Sequence, residues 1–208
     1  MQNCAEGIGI PGEMRYSVRE ANEKDGQGEL VMRFAVIGTN FITDRLLTAA
    51  GEVPGFRLEA VCSRARERGR EYAAKWGAPR VFTDLDELAA CQEVDAVYIA
   101  SPNALHRAQA VKMLRAGKHV LCEKPAASNA RELREMYAAA DESGTLLLEA
   151  MRPAFLPSLG RLREALPRIG KVRRAVLSFC KYSSRYDRFR AGVIENAFNP
   201  SLSNGALM

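Results

Sequence analysis

Between Met32 and Glu149 the sequence alternates short apolar runs with helix-patterned stretches, and no other feature constrains the fold as tightly. Arg33-Phe34-Ala35-Val36-Ile37-Gly38 is a short apolar run ending in glycine, suited to a strand buried on both faces, and Phe41 to Ala50 reads as the helix after it. The alternation continues with strands over 56–62, 80–82, 94–100, 119–122 and 145–149, and with helices over 64–76, 84–90, 104–116 and 130–143. Crossovers between parallel strands are right-handed, so such a series predicts an α/β fold built on a doubly wound parallel sheet. Asp84, Asn103 and either Ser128 or Asn129 mark helix starts, and Gly117 and Gly144 stand where helices should stop.

The flanks read differently. Residues 1–31 are polar and glycine-rich without strand or helix periodicity, which predicts a poorly ordered extension. Because Met32 directly precedes the first strand, the residues before it are expected to be dispensable or to precede the true start. After Arg152 the pattern predicts a helix over 155–166, an alternating strand over 171–182 and loop character over 183–208. One helix and one strand cannot complete a sheet, so 151–208 read as the incomplete start of an α+β domain.

Composition narrows the function classes. Hydrophobic residues at 47% and charged residues at 26% are ordinary for a folded globular chain. No apolar run approaches the ~18 residues of a membrane span, and Glu6, Glu13, Arg15 and Arg19 break any signal-peptide core. Cys4, Cys62, Cys91, Cys122 and Cys180 are widely spaced and form no CxxC, as expected of reduced thiols in the cytoplasm rather than a zinc site. With His106 and His119 the only histidines, no metal site is expected. Residues 1–150 carry 19 Lys and Arg against 22 Asp and Glu, whereas 151–208 carry 11 against 3. Arg185, Arg188 and Arg190 interleave with Tyr182, Tyr186 and Phe189, a pattern compatible with nucleic acid, but no recognised nucleic-acid module surrounds it. Neither nucleic acid nor membrane is therefore an expected partner.

In an open parallel sheet ligands bind at the carboxyl ends of the strands, near the point where strand order reverses. Four loops occupy such positions. Gly38-Thr39-Asn40-Phe41-Ile42-Thr43 stands where a dinucleotide fingerprint reads GxGxxG, with Asn40 in place of the second glycine. Asn tolerates a left-handed backbone better than most residues, which keeps the turn possible. Ser63 then occupies the position where an acid would bind the ribose hydroxyls of NAD. Arg64, Arg66, Arg68 and Arg70 follow, a set that favours the 2′-phosphate of NADP over NAD or else solvates a helix face. Ser101-Pro102-Asn103 with His106 reads either as a strand end and helix cap or as a cofactor loop. Glu123-Lys124-Pro125 holds a lysine on stiff backbone at the sheet's carboxyl edge and is the most specific signal in the chain.

From about Arg33 to Met208 these residues resemble the Gfo/Idh/MocA oxidoreductases, through AVIGTNFIT, VCSR, DAVYIASPNALH, GKHVLCEKP and LLLEAMRP. The resemblance implies a Rossmann domain over 32–150 that binds NADP or NAD. It further implies an α+β domain carrying the substrate pocket and often the oligomer contact, so the full-length form is expected to be a homo-oligomer. Typical members transfer a hydride between nicotinamide and a sugar, polyol or related hydroxy or keto compound. By the same resemblance Lys124 matches the active-site lysine that contacts substrate and nicotinamide ribose and assists proton transfer. Glu123 and Pro125 match its flanks, with Pro125 expected cis, and Asn103 and His106 match cofactor-contacting positions. Arg152 is a further candidate contact. Ser203 to Met208 resembles the segment before the acid and histidine that complete the family's catalytic group, and neither of those is in this sequence.

The candidate cofactor contacts are therefore Gly38, Thr39, Asn40, Phe41, Ile42, Ser63, Arg64, Arg68, Ser101, Pro102, Asn103, His106, Glu123, Lys124 and Arg152, with Lys124 as the catalytic candidate. The expected function is that of an NADP-preferring oxidoreductase. A dinucleotide-binding module without catalysis is the alternative, and a binder of nucleic acid or an acidic partner ranks third.

Overall fold

The computed structural model describes residues 31–183, 185–195 and 198–203. The expectation for residues 1–31 falls almost wholly outside these, as do Cys4 and the segment 204–208. Six strands form one parallel sheet: β1 (Met32–Ile37), β2 (Phe56–Cys62), β3 (Arg80–Phe82), β4 (Ala96–Ile99), β5 (His119–Cys122) and β6 (Leu147–Glu149). Their order is β3-β2-β1-β4-β5-β6, so the direction of winding reverses between β1 and β4. This is the doubly wound α/β architecture that the alternation predicts.

The inner strands serve two cores, which is why their sequences read as near-continuous apolar runs. Val36, Val61 and Tyr98 point to the face covered by α1 (Phe41–Ala50) and α2 (Arg66–Trp76), where they meet Leu47, Tyr72 and Ala73. Ala35, Ile37, Ala60, Val97 and Ile99 point to the other face. There α3 (Leu85–Ala90), α4 (Asn103–Arg115) and α5 (Ala130–Ser143) supply Leu88, Met113, Leu114 and Met136. A bulge interrupts β2: Phe34 pairs with Leu58 and Ala35 with Ala60, leaving Glu59 without an opposite residue. The Glu59 side chain is 2% exposed and lies against Arg80 and Arg57.

Most helix ends follow their sequence signals. Asp84 accepts from the N–H groups of Asp86 and Glu87, and Asn129 accepts from that of Glu132. Asn103 corrects the expectation of a cap. It is the first residue of α4, and Pro102, which has no side-chain hydrogen bond to offer, takes the cap position. Beyond β6 the departures are larger. A 3₁₀ turn spans Arg152–Phe155, α6 spans Pro157–Ala165 and a second 3₁₀ turn spans Leu166–Ile169, where one helix over 155–166 was expected. Residues 172–183 form no strand: a strand needs an edge to pair with, and Val176, Leu177 and Phe179 are instead 76, 91 and 92% exposed. The expected loop contains two short helices, α7 (Tyr186–Arg190) and α8 (Pro200–Ser203). Arg185 and Arg188 both pair with Glu195, and Arg190 lies over the Tyr186 ring, so these arginines have partners within the chain. Among the described residues no helix is long and apolar enough to cross a membrane.

The amino edge of the sheet is tied by charge. Arg33 donates to both carboxylate oxygens of Asp95 at 2.8 and 2.9 Å, and its backbone N–H adds a third bond at 2.9 Å. Burial alone would raise the Asp95 carboxyl, but the Arg33 bonds outweigh it and hold the group below its ordinary value. Nearby, Lys118 is buried and donates to the carbonyls of Cys91 and Val94 at 2.6 and 3.0 Å. The lowered Asp95 value sets a pH signature. Its stabilisation is complete above the unfolded value of about 3.9 and is lost as pH falls through the lower folded value. Asp95→Asn should therefore cost about 2 kcal/mol in urea unfolding at neutral pH, with the two proteins converging as pH drops below that point. A constant gap down to low pH would contradict this account.

Candidate functional site

The site is assembled where β1 and β4 part. Gly38 follows β1 with φ +104°, and a Cβ built on it would lie 2.7 Å from the Ala100 carbonyl oxygen. Only glycine permits both that backbone angle and that approach. Asn40 does not use the left-handed backbone expected of it: its φ is −107° and it is the cap of α1. Its Oδ1 accepts from the N–H groups of Ile42 and Thr43, and its Nδ2 donates to the Ala100 carbonyl at 2.6 Å. The side chain that replaces a glycine thus joins the β1 loop to the β4 loop. Thr43, at the third small position of the fingerprint, is fully buried and donates to the Gly38 carbonyl at 3.0 Å. Phe41 is 60% exposed on the first turn of α1, with the Arg45 guanidinium over its ring.

At the end of β2 lies buried Ser63. Helix α2 comes close here because Gly69 has no side chain: a Cβ would stand 2.7 Å from Val81 and 3.4 Å from the Ser63 Cβ. Beside that glycine, Arg68 donates through Nε to the Thr39 hydroxyl and through Nη2 to the Thr39 carbonyl, both at 2.7 Å. A guanidinium has five N–H groups, so donors remain on an exposed side chain. Arg64 is exposed at the same strand end.

The loops after β4 and β5 form the other wall. Ser101 donates its hydroxyl to Gln109 Oε1 at 2.6 Å. Asn103 is partly exposed at the start of α4. His106, a candidate cofactor contact, lies buried between two backbone carbonyls. The ring is 0% exposed, and its Nδ1 and Nε2 lie 2.9 Å from the carbonyl oxygens of Pro125 and Ser101. Glu123-Lys124-Pro125 follows β5, with the Lys124–Pro125 bond cis as expected. The Glu123 N–H donates to the Ile99 carbonyl at 2.8 Å and the Ala126 N–H to Glu149 Oε1 at 2.9 Å. Tyr98 donates its hydroxyl to Glu123 Oε1 at 2.8 Å, and burial together with this carboxylate raises the phenol well above its ordinary value. Lys124 itself is exposed, and among the described residues its ammonium has no hydrogen-bond or ion-pair partner. Arg152 is exposed in the turn after β6.

Tyr98, Gln109 and Glu149 were missed by sequence reasoning. The signal for Tyr98 was available: it pairs in parallel register with Leu121, so residue 123 comes next on the same face. Other reactive groups are unsuited to chemistry here. Burial pushes the Cys62 thiol to about 11 and that of Cys122 to about 12. His119 starts β5 at the opposite edge of the sheet and accepts from the Leu146 N–H at 3.0 Å. Among the described residues no cluster of metal-binding side chains occurs.

Residues 32–150, more than half of the chain, match the model of the Gfo/Idh/MocA family, an oxidoreductase family with an NAD-binding Rossmann fold. The chain belongs to this family. It is 56% identical over 178 residues to the scyllo-inositol 2-dehydrogenase (NADP(+)) of Bacillus subtilis, covering 86% of this chain and 54% of that protein. It is 40% identical over 115 residues to the 1,5-anhydro-D-fructose reductase of Ensifer adhaerens, covering 55% of this chain and 34% of that one. Among solved structures, a 3-ketoreductase from Actinomadura kijaniata, in complex with NADP and TDP-benzene, superposes with a TM-score of 0.63. That match has 32% identity and covers 66% of this chain and 42% of that one. The chain thus spans about half the length of the curated relatives it matches.

The family's dinucleotide would fit this turn, because the positive-φ Gly38 ends β1 at the β1–β4 crevice and leads directly into the start of α1, where an open parallel sheet receives a phosphate. One feature opposes it. A phosphate at the start of α1 must compete with Asn40 Oδ1 for the N–H groups of Ile42 and Thr43. Gly38→Ala should cost about 2–4 kcal/mol of unfolding free energy, combining steric overlap with a strained positive φ. Asn40→Ala should cost about 1 kcal/mol through loss of the cap. Denaturant melts of both variants test the pair, and a Gly38→Ala protein as stable as the parent would refute the close approach.

Proposed function

We propose that residues 32–150 bind NADP(H), in preference to NAD(H), and that the protein transfers a hydride between the nicotinamide and a hydroxyl-bearing carbon of a sugar or polyol. The carrying observation is that Ser63 stands at the end of β2 and Arg68 on the helix that follows it. A hydroxyl, not a carboxylate, stands at the end of β2, and Arg68 is already anchored to Thr39 with donors to spare. A carboxylate there would repel a 2′-phosphate, whereas a guanidinium recognises one by charge-assisted hydrogen bonds. The NADP in the names of two relatives supports the same choice. Sugar or polyol substrates are supported by the scyllo-inositol and 1,5-anhydro-D-fructose relatives.

The bound nicotinamide supplies the hydride acceptor or donor. Within the chain, Gly38, Thr39, Asn40, Phe41 and Ile42 would line the pyrophosphate side. Ser63, Arg64 and Arg68 would hold the adenosine phosphate, and Ser101, Pro102, Asn103 and Glu123 would face the nicotinamide half. Lys124 presents an exposed ammonium one strand from the crevice. It would bind the reacting oxygen, stabilise its negative charge and pass a proton to or from it. Arg152 and residues 151–208 would belong to the substrate side.

A second reading, a dinucleotide-binding module without turnover, is favoured by one observation. Both histidines are engaged with backbone groups, so among the described residues neither stands beside Lys124 as a proton-transfer partner. Fluorescence titration should give tighter binding of NADPH than of NADH, and Ser63→Asp should weaken NADPH by about tenfold or more while sparing NADH. NADH preferred by the parent chain, or no binding of either, would remove the proposal. Given binding, a sugar and polyol panel separates the two readings. In the full protein Lys124→Ala should lower kcat by about a hundredfold or more with a small change in cofactor affinity.

A further inference from the structure

We infer that His106 is a positioning residue: it fixes the loop that carries Lys124 against the loop that follows β4. The inference rests on the reading above for what Lys124 does, but the clamp itself is a matter of geometry. His106 lies in the first turn of α4, wholly shielded from solvent. Its two ring nitrogens reach backbone carbonyls on two different loops, Ser101 after β4 and Pro125 after β5, each at 2.9 Å. The neutral ring donates its one N–H to one of these carbonyls and only the imidazolium donates to both, but in either form a rigid five-membered ring lodged between the two loops sets their separation in a way that a flexible side chain would not.

The other ties on this segment act elsewhere. Tyr98 and the Ile99 carbonyl hold Glu123, and Glu149 holds Ala126. These bonds fix the segment to β4 and β6. Among the described residues, the His106 ring lies between the Glu123–Ala126 segment and the Ser101–Pro102 loop, within 2.9 Å of a carbonyl on each. Lys124 therefore stands between two held neighbours, Glu123 on Tyr98 and Pro125 on His106. With no partner of its own among the described residues, its ammonium takes its place from them. His106 acts on the reacting group only through the backbone of Pro125.

The test compares the full chain with His106→Phe, which keeps a planar ring without polar atoms, and His106→Gln, whose amide can hydrogen-bond a carbonyl but lacks the rigid ring lodged between the two loops. Amide exchange by mass spectrometry should rise about tenfold in peptides spanning 122–127 in His106→Phe, less in His106→Gln, with β1 and β2 unchanged. If His106→Phe does not fold, His106→Gln carries the same comparison. A second readout is lysine acylation, in which NADPH should protect Lys124 in the parent protein. That protection should be lost in the variant even though NADPH still binds within about threefold. Exchange that rises equally across all six strands, or not at all at 122–127, overturns the inference. So does undiminished protection of Lys124 in the variant. Failure of the parent chain to bind NADPH defeats the cofactor reading instead, and the exchange comparison still decides the clamp.

Discussion

The approach of Gly38 to the Ala100 carbonyl is the constraint on which the rest of the site depends. It lets β1 and β4 stay paired up to the point where their following loops turn apart, and so it defines the crevice between them. Asn40 then uses the same carbonyl as an acceptor, and Thr43 turns back to Gly38. One main-chain contact, two side-chain bonds and a helix cap thus occupy a single turn. Loss of the close approach would displace them together, because they share atoms rather than merely neighbourhood.

The site's polar groups divide by burial. Thr43, Ser63, Gln109 and His106 are buried, and the bonds recorded for Thr43, Gln109 and His106 tie one loop to another or to a helix. Arg64, Lys124 and Arg152 are exposed on the same carboxyl edge. A buried hydrogen bond resists competition from water, whereas an exposed cation is free to exchange solvent for an anion. Arg68 lies between the two classes, fastened to Thr39 by one edge of its guanidinium and open along the rest.

Sequence periodicity located all six strands to within two residues at each end, because the inner strands are buried on both faces and read as apolar runs. Lys124 and the Ser63 loop were legible for the same reason: a strand end followed by an unusual residue triplet is a local signal. What escaped was non-local. That Asn40 would reach Ala100, or that His106 would turn inward to two carbonyls, depends on which loops lie side by side, and strand order is not written in any single segment. Residues 172–183 failed for a related reason. Their alternation suits a strand, but a ladder requires a second edge, and none pairs with them among the described residues.

The bulge in β2 has its own reach. With Glu59 set aside, Phe56, Leu58 and Val61 alternate regularly onto the α1–α2 face, and Ala60 and Cys62 onto the other. Glu59 is thus an extra residue that belongs to neither repeat. A strand built this way can shed or regain one residue during divergence without inverting the side chains on either side of the change. The end of β2 would then keep Ser63 turned toward α2 whatever the strand's length, so its tip can be inherited independently of its root.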